Sequence, residues 1–439
     1  MISALNQDLL SRNAHKGPIR IGLAGAGQMG TDIIVQVAQM TGLTIAAIAE
    51  VRTDLAEAAL RMAGTRESQW QKAGSAMAVD RAIEAGTTAL VEDIAHLAES
   101  GLIEVIIDAT GNPEIGARLA LKAIDNGKHI VMLNVEADIT VGRVFARKAK
   151  AAGVVYSGAA GDEPACTLEI VGFAESLGLD VVCAGKGKNN PLDIDAVPDD
   201  YVEEARHRDM NPRMLVEFID GSKTMIEMVA IANATGLVPD KPGMHGPQAT
   251  REELASVLVP KSHGGILSQK GCVDYSIGKG VAPGVFCVVE ARHPRITERL
   301  VDLKVGKGPF FTIYRPYHLT SIEVPLTAAR AVLYNRADMT PLDRPVADAM
   351  TLAKRDLVPG ERLGKIGESA YRAFAMTARQ GRVAGALPVG LAENAEILAP
   401  VRRGEMITYA NARPDPSMLI TRMRAKLDAL DDARPQVAE

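Results

Sequence analysis

Three glycines carry the clearest chemistry in this chain. Gly25, Gly27 and Gly30 fall in the spacing G-x-G-x-x-G, with Gln28 and Met29 between the last two. In such a turn the first glycine permits a tight bend and the second lets a pyrophosphate approach the backbone. The third lets the following helix pack closely on the preceding strand. N–H groups opening that helix then face the phosphates. Glu50, 20 positions after Gly30, stands where a carboxylate accepts from a ribose hydroxyl. Arg52 and Arg61 lie near enough to pair a 2′-phosphate, so NADPH and NADH both stay open at this stage. Thr110-Gly111-Asn112-Pro113 and Asn134-Val135-Glu136 each follow an apolar run. Thr110, Gly111, Asn134 and Glu136 are expected beside the nicotinamide ribose and ring, because open α/β sheets bind ligands at the C-terminal ends of their strands.

A second group of residues suits a polar substrate. Hydride delivery to a carbonyl builds negative charge on its oxygen, which a lysine can stabilise and protonate. Lys186-Gly-Lys188-Asn189-Asn190-Pro191 follows the apolar run Asp180–Ala184, and its glycine is expected to admit substrate close to the backbone. Lys186, Lys188 and Asn189 are the catalytic candidates there, with Asn190 binding substrate. Asp162 and Glu163 fall in Gly161-Asp-Glu-Pro164 ahead of an apolar helix; capping that helix explains them as well as catalysis does. Asn211 and Lys223 are weaker substrate-binding candidates. Lys223 and Glu227, four apart, could equally form a helical ion pair. Lys261-Ser-His263-Gly-Gly offers cationic and backbone donors for a phosphate. There is no H-E-x-x-H, paired-cysteine metal motif or G-x-S-x-G elbow, which argues against several hydrolase classes.

These residues need a scaffold of more than one core, since the chain has 439 residues. Alternating strands (Ile19–Leu23, Leu43–Ala49, Glu104–Ala109, His129–Leu133, Val154–Tyr156) and helices (Thr31–Met40, Pro113–Asn126, Val141–Ala152) predict a doubly wound parallel sheet, a Rossmann domain of α/β class. A polar arm (1–16) precedes it, and an inserted helical excursion is expected around Thr65–Gly86. Cys272–Tyr275, Val285–Glu290 and Pro309–Tyr314 read as strands of an antiparallel sheet in an α+β domain for substrate and oligomerisation. Leu319–Asn335 reads as a helix returning to the first domain. After a linker at Pro341–Pro345 comes a small β-rich module ending near Ala412, then a charged helical tail. The domain boundaries are 1–157 completed by 315–340, then 158–314, then 341–439.

A net charge of −5 gives no reason to expect nucleic acid. Four separated cysteines read as buried thiols of a reducing compartment. No signal peptide or membrane span is visible, so a cytoplasmic protein is expected. A homodimer is expected through the second domain's sheet, whose exposed face would need a cover.

The motifs also resemble known families. Gly25–Gly30, Asp108-Ala-Thr110-Gly111 and Tyr314-Arg-Pro-Tyr317-His-Leu-Thr-Ser-Ile-Glu323-Val-Pro325 resemble the homoserine-dehydrogenase-like group over residues 17–340. Ala353-Lys-Arg-Asp356-Leu-Val-Pro-Gly360-Glu and Leu387-Pro-Val-Gly390-Leu resemble a SAF domain. Taken with Gly161–Pro164 and Lys186–Pro191, their order is similar to the DXR-like oxidoreductases. That resemblance implies NADPH-dependent conversion of 1-deoxy-D-xylulose 5-phosphate to 2-C-methyl-D-erythritol 4-phosphate in isoprenoid precursor synthesis. It implies a phosphorylated sugar held by Lys186, Lys188, Asn189, Asn190 and Lys261. Glu163 would move protons or hold Mg²⁺ or Mn²⁺ against vicinal oxygens. Gly161–Pro164 replaces the glycine–isoleucine–proline turn usual in homoserine dehydrogenases, which argues against homoserine as substrate. The alternatives are a homoserine-type or other polyol dehydrogenase, and a dinucleotide-binding sensor without turnover.

Overall fold

The computed structural model describes residues 2–208 and 210–433. Met1 and residues 434–439, which the expected domain boundaries include, lie outside the described residues. The chain divides into two compact units, Met1–Ala165 with Leu319–Thr340, and Cys166–His318 with Pro341–Glu439.

The first unit is built on β1 (Ile19–Ala24), β2 (Leu43–Ala49), β3 (Trp70–Lys72), β4 (Thr88–Val91), β5 (Val105–Asp108), β6 (His129–Met132) and β7 (Tyr156–Gly158). They pair in parallel in the order β3-β4-β2-β1-β5-β6-β7. β5 is buried throughout and β1 nearly so. Continuous apolar runs are what a sheet covered on both faces requires. The order reverses at β1, with β2 on one side and β5 on the other, so the ligand crevice opens at the C-terminal end of β1. This is the expected Rossmann fold.

Three local expectations need correction. The polar arm is a helix, Ile2–Lys16, whose Leu5 and Leu9 enter the core one turn apart while Arg12 bonds Glu104 at 2.6 Å. The supposed helical excursion at Thr65–Gly86 holds strand β3 and a single helix of any length, Ala76–Glu84. The helix expected from Val141 begins at Val135, because the Asn134 side chain accepts the Ala137 N–H at 3.1 Å and caps it. The returning helix, Val324–Tyr334, does belong to the first unit and buries Ala328, Ala329 and Ala331.

The second unit holds β8 (Asp180–Gly187), β9 (Val238–Pro239), β10 (Cys272–Ser276), β11 (Val285–Glu290) and β12 (Phe310–Arg315), ordered β12-β11-β8-β10-β9. β11 runs antiparallel to β8 and β12. β10, expected to be antiparallel, lies parallel to β8 and β9. The chain between β8 and β10 passes through the helices Pro212–Ile219 and Ser222–Thr235, long enough for a parallel crossover. β13 (Ala347–Ala353) and β14 (Tyr371–Thr377) form an antiparallel pair, as do β15 (Glu396–Ile397) and β16 (Ala412–Arg413). Helix Leu419–Asp432 follows. Asn233 Oδ1 accepts from the N–H groups of Val346 and Ala347, tying these C-terminal strands to helix Ser222–Thr235.

β8, β10 and β11 are buried on both faces within one chain. At the edge of this sheet β12 is half-buried over most of its length. All four cysteines are buried and unbridged. No helix among the described residues is long and apolar enough to cross a membrane.

Candidate active site

In the first unit the glycine turn is built as its spacing predicts. Gly25 has φ +94°, and a Cβ there would lie 2.7 Å from the Ala109 carbonyl oxygen. On Gly30 it would lie 2.1 Å from the Gly25 oxygen, whereas on Gly27 it would meet nothing within 4 Å. Gly25 and Gly30 thus answer to the protein's own packing, and Gly27 fronts open space. Gly27 and Gln28 are exposed and Met29 is half-buried. Gly27 is the N-cap of helix Gln28–Ala38, and no side chain caps it. The first-turn N–H groups are thereby left for a phosphate.

Glu50 extends from the end of β2 to this turn. One carboxylate oxygen accepts the Ala26 N–H at 2.9 Å and the other the Arg52 N–H at 3.0 Å. Arg52 itself is exposed and, among the described residues, pairs only with exposed Asp54. Such surface pairs are worth little, so the guanidinium can be redirected at small cost. Arg61 is further committed, to Glu57, Glu67 and the face of Trp70. If Arg52 meets a 2′-phosphate, Arg52→Ala should raise the KM for NADPH roughly tenfold, the loss of one charge-assisted contact. The KM for NADH should stay nearly constant, and parallel changes in both would sink this assignment.

Thr110 and Asn134 shape the next two loops. Buried Asp108 accepts from the Thr110 N–H at 2.9 Å and its hydroxyl at 2.6 Å, and Asn134 Nδ2 donates to the Asn112 carbonyl at 2.8 Å. Burial pushes the Asp108 carboxyl up while the Thr110 hydroxyl opposes it. Gly111 is exposed with φ +62°, and Glu136 is buried in the first turn of helix Val135–Ala152.

Sequence reasoning missed Asp138. It is buried beneath the Tyr156 hydroxyl, which donates to it, and burial lifts its carboxyl to about 6. The signal was an acidic residue three positions into a helix whose start was placed too late. Because the folded value exceeds the unfolded one, this group's stability contribution is complete below about pH 4 and is lost as pH rises through 6. Two pKa units correspond to about 3 kcal/mol. Asp138→Asn should therefore gain about that much relative to wild type between pH 4 and pH 7.5 in denaturant titrations. A pH-independent difference would contradict it.

Gly161 has φ +84°, and its carbonyl accepts the Thr320 N–H at 2.9 Å. Asp162 follows, and Glu163 opens helix Glu163–Ser176. A carboxylate oxygen of each lies within 4.8 Å of the other.

In the second unit the paired lysines have different fates. Lys186 and Glu227, on β8 and helix Ser222–Thr235, form a buried ion pair with side chains 6% and 1% exposed. Lys188 gives its three N–H bonds to the carbonyls of Asn190, Pro191 and Phe218. Burial pulls it down to about 8. Its three donors are thus all given to backbone carbonyls. Gly187 is corrected: a Cβ there would strike the Ala282 nitrogen at 2.2 Å, so the glycine makes room for the chain and not for substrate.

Other candidates are dispersed. Asn189 is exposed, the Asn190 side chain accepts from Arg208, and Asn211 caps helix Pro212–Ile219. Lys223 is half-buried on the same helix as Glu227. Lys261 and His263 are exposed, with His263 edge-on to Phe310 at 5.0 Å. Phe310 pairs with Glu290 and Glu290 with Asp180, at the opposite end of β8 from Lys186. Six residues of strand separate those ends by about 20 Å. The proposed phosphate cradle does not join the Lys186 cluster.

Residues 25–157 match the family model for homoserine dehydrogenase, NAD binding domain, and residues 161–324 match that for oxidoreductase DRL, catalytic domain. The protein is an NAD(P)-dependent oxidoreductase. A sensor without turnover is thereby set aside, and Lys186 and Glu227 of the oxidoreductase fall inside the matched catalytic region. No curated protein matches its sequence. Among solved structures it is similar to a probable dehydrogenase from Thermotoga maritima, with 15% identity over 73% of this chain and 90% of that one and a TM-score of 0.42. It is also similar to scyllo-inositol dehydrogenase from Lactobacillus casei with bound NAD(H) and scyllo-inositol, with 14% identity over 68% and 76% and a TM-score of 0.34. Likenesses so remote do not bear on its substrate.

Proposed function

We propose that the oxidoreductase uses NADPH to convert 1-deoxy-D-xylulose 5-phosphate to 2-C-methyl-D-erythritol 4-phosphate. The observation that carries this reading is the buried Lys186–Glu227 pair inside the region matching the DRL catalytic domain. The bound dinucleotide supplies the hydride. Lys186 stabilises the carbonyl oxygen as charge develops and gives it a proton, while Glu227 holds the ammonium in place. Glu227 is a positioning residue in this scheme. Asp162 and Glu163 have carboxylate oxygens close enough to share one Mg²⁺ or Mn²⁺, which would polarise the substrate's vicinal oxygens.

A polyol dehydrogenase is the second reading. It is favoured by one finding: Lys188 is spent on carbonyls and Lys261 lies far along the sheet, so two expected phosphate ligands are missing. NADPH oxidation at 340 nm with 1-deoxy-D-xylulose 5-phosphate, with Mg²⁺, Mn²⁺ or chelator, separates the two. Metal-dependent turnover supports the first reading. No turnover, alongside dinucleotide reduction by a polyol, replaces it with the second. Cytoplasmic location, a SAF-like domain with its C-terminal tail over residues 341–439 and a homodimer remain part of the proposal. With the sheet faces covered, the free edge of β12 is where a second copy would pair. A monomeric mass in solution scattering would remove the dimer.

A further inference from the structure

Asp108 carries a buried carboxylate that no side-chain cation pairs with among the described residues. It ends β5 with 0% of its surface exposed, in register with Ala24, the last residue of β1. The charged side chain acting on it is Glu136, in the first turn of helix Val135–Ala152, which repels it. A buried charge without a cation is costly to keep.

The surroundings nevertheless suit the charged form. One oxygen accepts the Thr110 N–H at 2.9 Å and the Thr110 hydroxyl at 2.6 Å, and the other faces Asn134 Nδ2 at 3.4 Å. That amide cannot turn round, because its oxygen accepts the Ala137 N–H at 3.1 Å. Each carboxylate oxygen thus faces an N–H group, which can only donate. Two helices also begin here. Asn112 caps Pro113–Asp125 and Asn134 caps Val135–Ala152. A Cβ on Gly116 would lie 2.5 Å from the second Asp108 oxygen and 2.8 Å from Asn134 Nδ2, so this glycine makes room for the pair. The positive ends of the helices supply the stabilisation that a cation would otherwise give.

The charge adjoins the dinucleotide turn. A Cβ on Gly25 would lie 2.7 Å from the Ala109 oxygen and 3.2 Å from Thr110 Cα, and the Ala109 N–H bonds the Ala24 carbonyl at 2.8 Å. Ala109 and Thr110, the residues that follow Asp108, therefore lie directly against the turn. The same loop continues to Gly111, which is exposed and where a Cβ would meet nothing within 4 Å. An oxidised nicotinamide ring is positively charged and a reduced one is neutral, so a charge fixed in the protein near the site acts on the difference between them.

We propose that Asp108 is a specificity-determining residue of the dinucleotide site, its buried charge favouring the oxidised over the reduced cofactor. This rests on the dinucleotide site described above and on no particular substrate. Asp108 acts through its field and through the loop that it holds, and is not a catalytic residue. Asp108→Asn isolates the charge, because the amide oxygen can keep both Thr110 bonds and only the long contact to Asn134 is given up. That variant is expected to fold, since burial pushes the Asp108 carboxyl up and its charge therefore opposes folding at neutral pH.

The test measures Kd values of the full chain for NADP⁺ and for NADPH by calorimetry. In Asp108→Asn the Kd for NADP⁺ is expected to rise roughly tenfold, the scale of one buried charge, and that for NADPH about twofold or less. Thr110→Val keeps the charge and removes one of its donors, so it should move both values together. Equal changes for the two forms in Asp108→Asn overturn the proposal, because they mark a carboxylate that only builds the loop. A Thr110→Val ratio shifted as far as that of Asp108→Asn also overturns it. Asp108→Ser, neutral and smaller, gives the same ratio where the amide does not fold, and unfolding of both neutral variants marks a carboxylate kept for folding and overturns the proposal. The site and the inference fail separately. Wild type that binds neither form removes the dinucleotide site and the inference with it, whereas binding of both with a ratio indifferent to Asp108→Asn removes the inference alone.

Discussion

Lys186→Met should lower kcat by roughly 10²–10⁴-fold, the usual worth of a positioned proton donor, while the Kd for NADPH changes little. Lys186, on β8, is paired with a carboxylate; Lys188, two residues on, is tied to three carbonyls. Lys188→Met should therefore act mainly on stability, by leaving partly buried carbonyls without donors at about 1 kcal/mol. The partner's removal has its own signature. Glu227→Gln breaks the buried ion pair by neutralising one partner, at a cost of about 3–5 kcal/mol. Lys186→Met combined with Glu227→Leu should recover part of that loss, because both members of the buried pair are then apolar. Stopped-flow turnover and urea titration of the four variants read both effects. If Lys188→Met lost as much kcat as Lys186→Met at unchanged stability, the roles given to the two lysines would be wrong.

Substitutions in the glycine turn should separate binding from folding. Gly27→Ala is expected to leave the melting temperature unchanged, since its φ of −68° suits any residue and a Cβ there meets nothing. The same methyl would occupy the space through which a pyrophosphate reaches the helix N-terminus, raising the dinucleotide Kd roughly 100-fold, about 2.7 kcal/mol. Gly30→Ala should do the reverse. Its Cβ would sit 2.1 Å from the Gly25 oxygen, so helix Gln28–Ala38 must move off β1, at about 3 kcal/mol or more. Fluorescence titration with NADPH and thermal melts give the two readings. A Gly27→Ala variant that binds NADPH like wild type would mean that the pyrophosphate does not lie across this turn.

The Rossmann half was legible because its information is local. A strand, a turn with glycines at set positions and a helix are specified within about a dozen residues, since backbone conformation and burial period are properties of short segments. Glu50 was equally readable, because the end of β2 adjoins the end of β1 whenever consecutive strands pair in parallel. The errors there were local as well. The arm's two core leucines were too few to register as a periodic face, and the excursion hid a three-residue strand.

The second unit was harder because its chemistry depends on partners remote in sequence. Lys186 and Lys188 lie two residues apart and share a residue type, and their partners are Glu227 for the one and carbonyls such as that of Phe218 for the other. Lys261 and His263 have the composition of a phosphate site, yet strand register carries them to the far end of β8. Tyr275 reaches the side of Lys186 through a parallel pairing that the sequence pattern had read as antiparallel. The sequence by itself determined the class of fold, the dinucleotide turn and the oxidoreductase character. The tertiary structure decided which lysine pairs with a carboxylate and which glycine of the turn fronts open space. The reason is that side-chain partners follow from register and crossover geometry, which no short segment encodes.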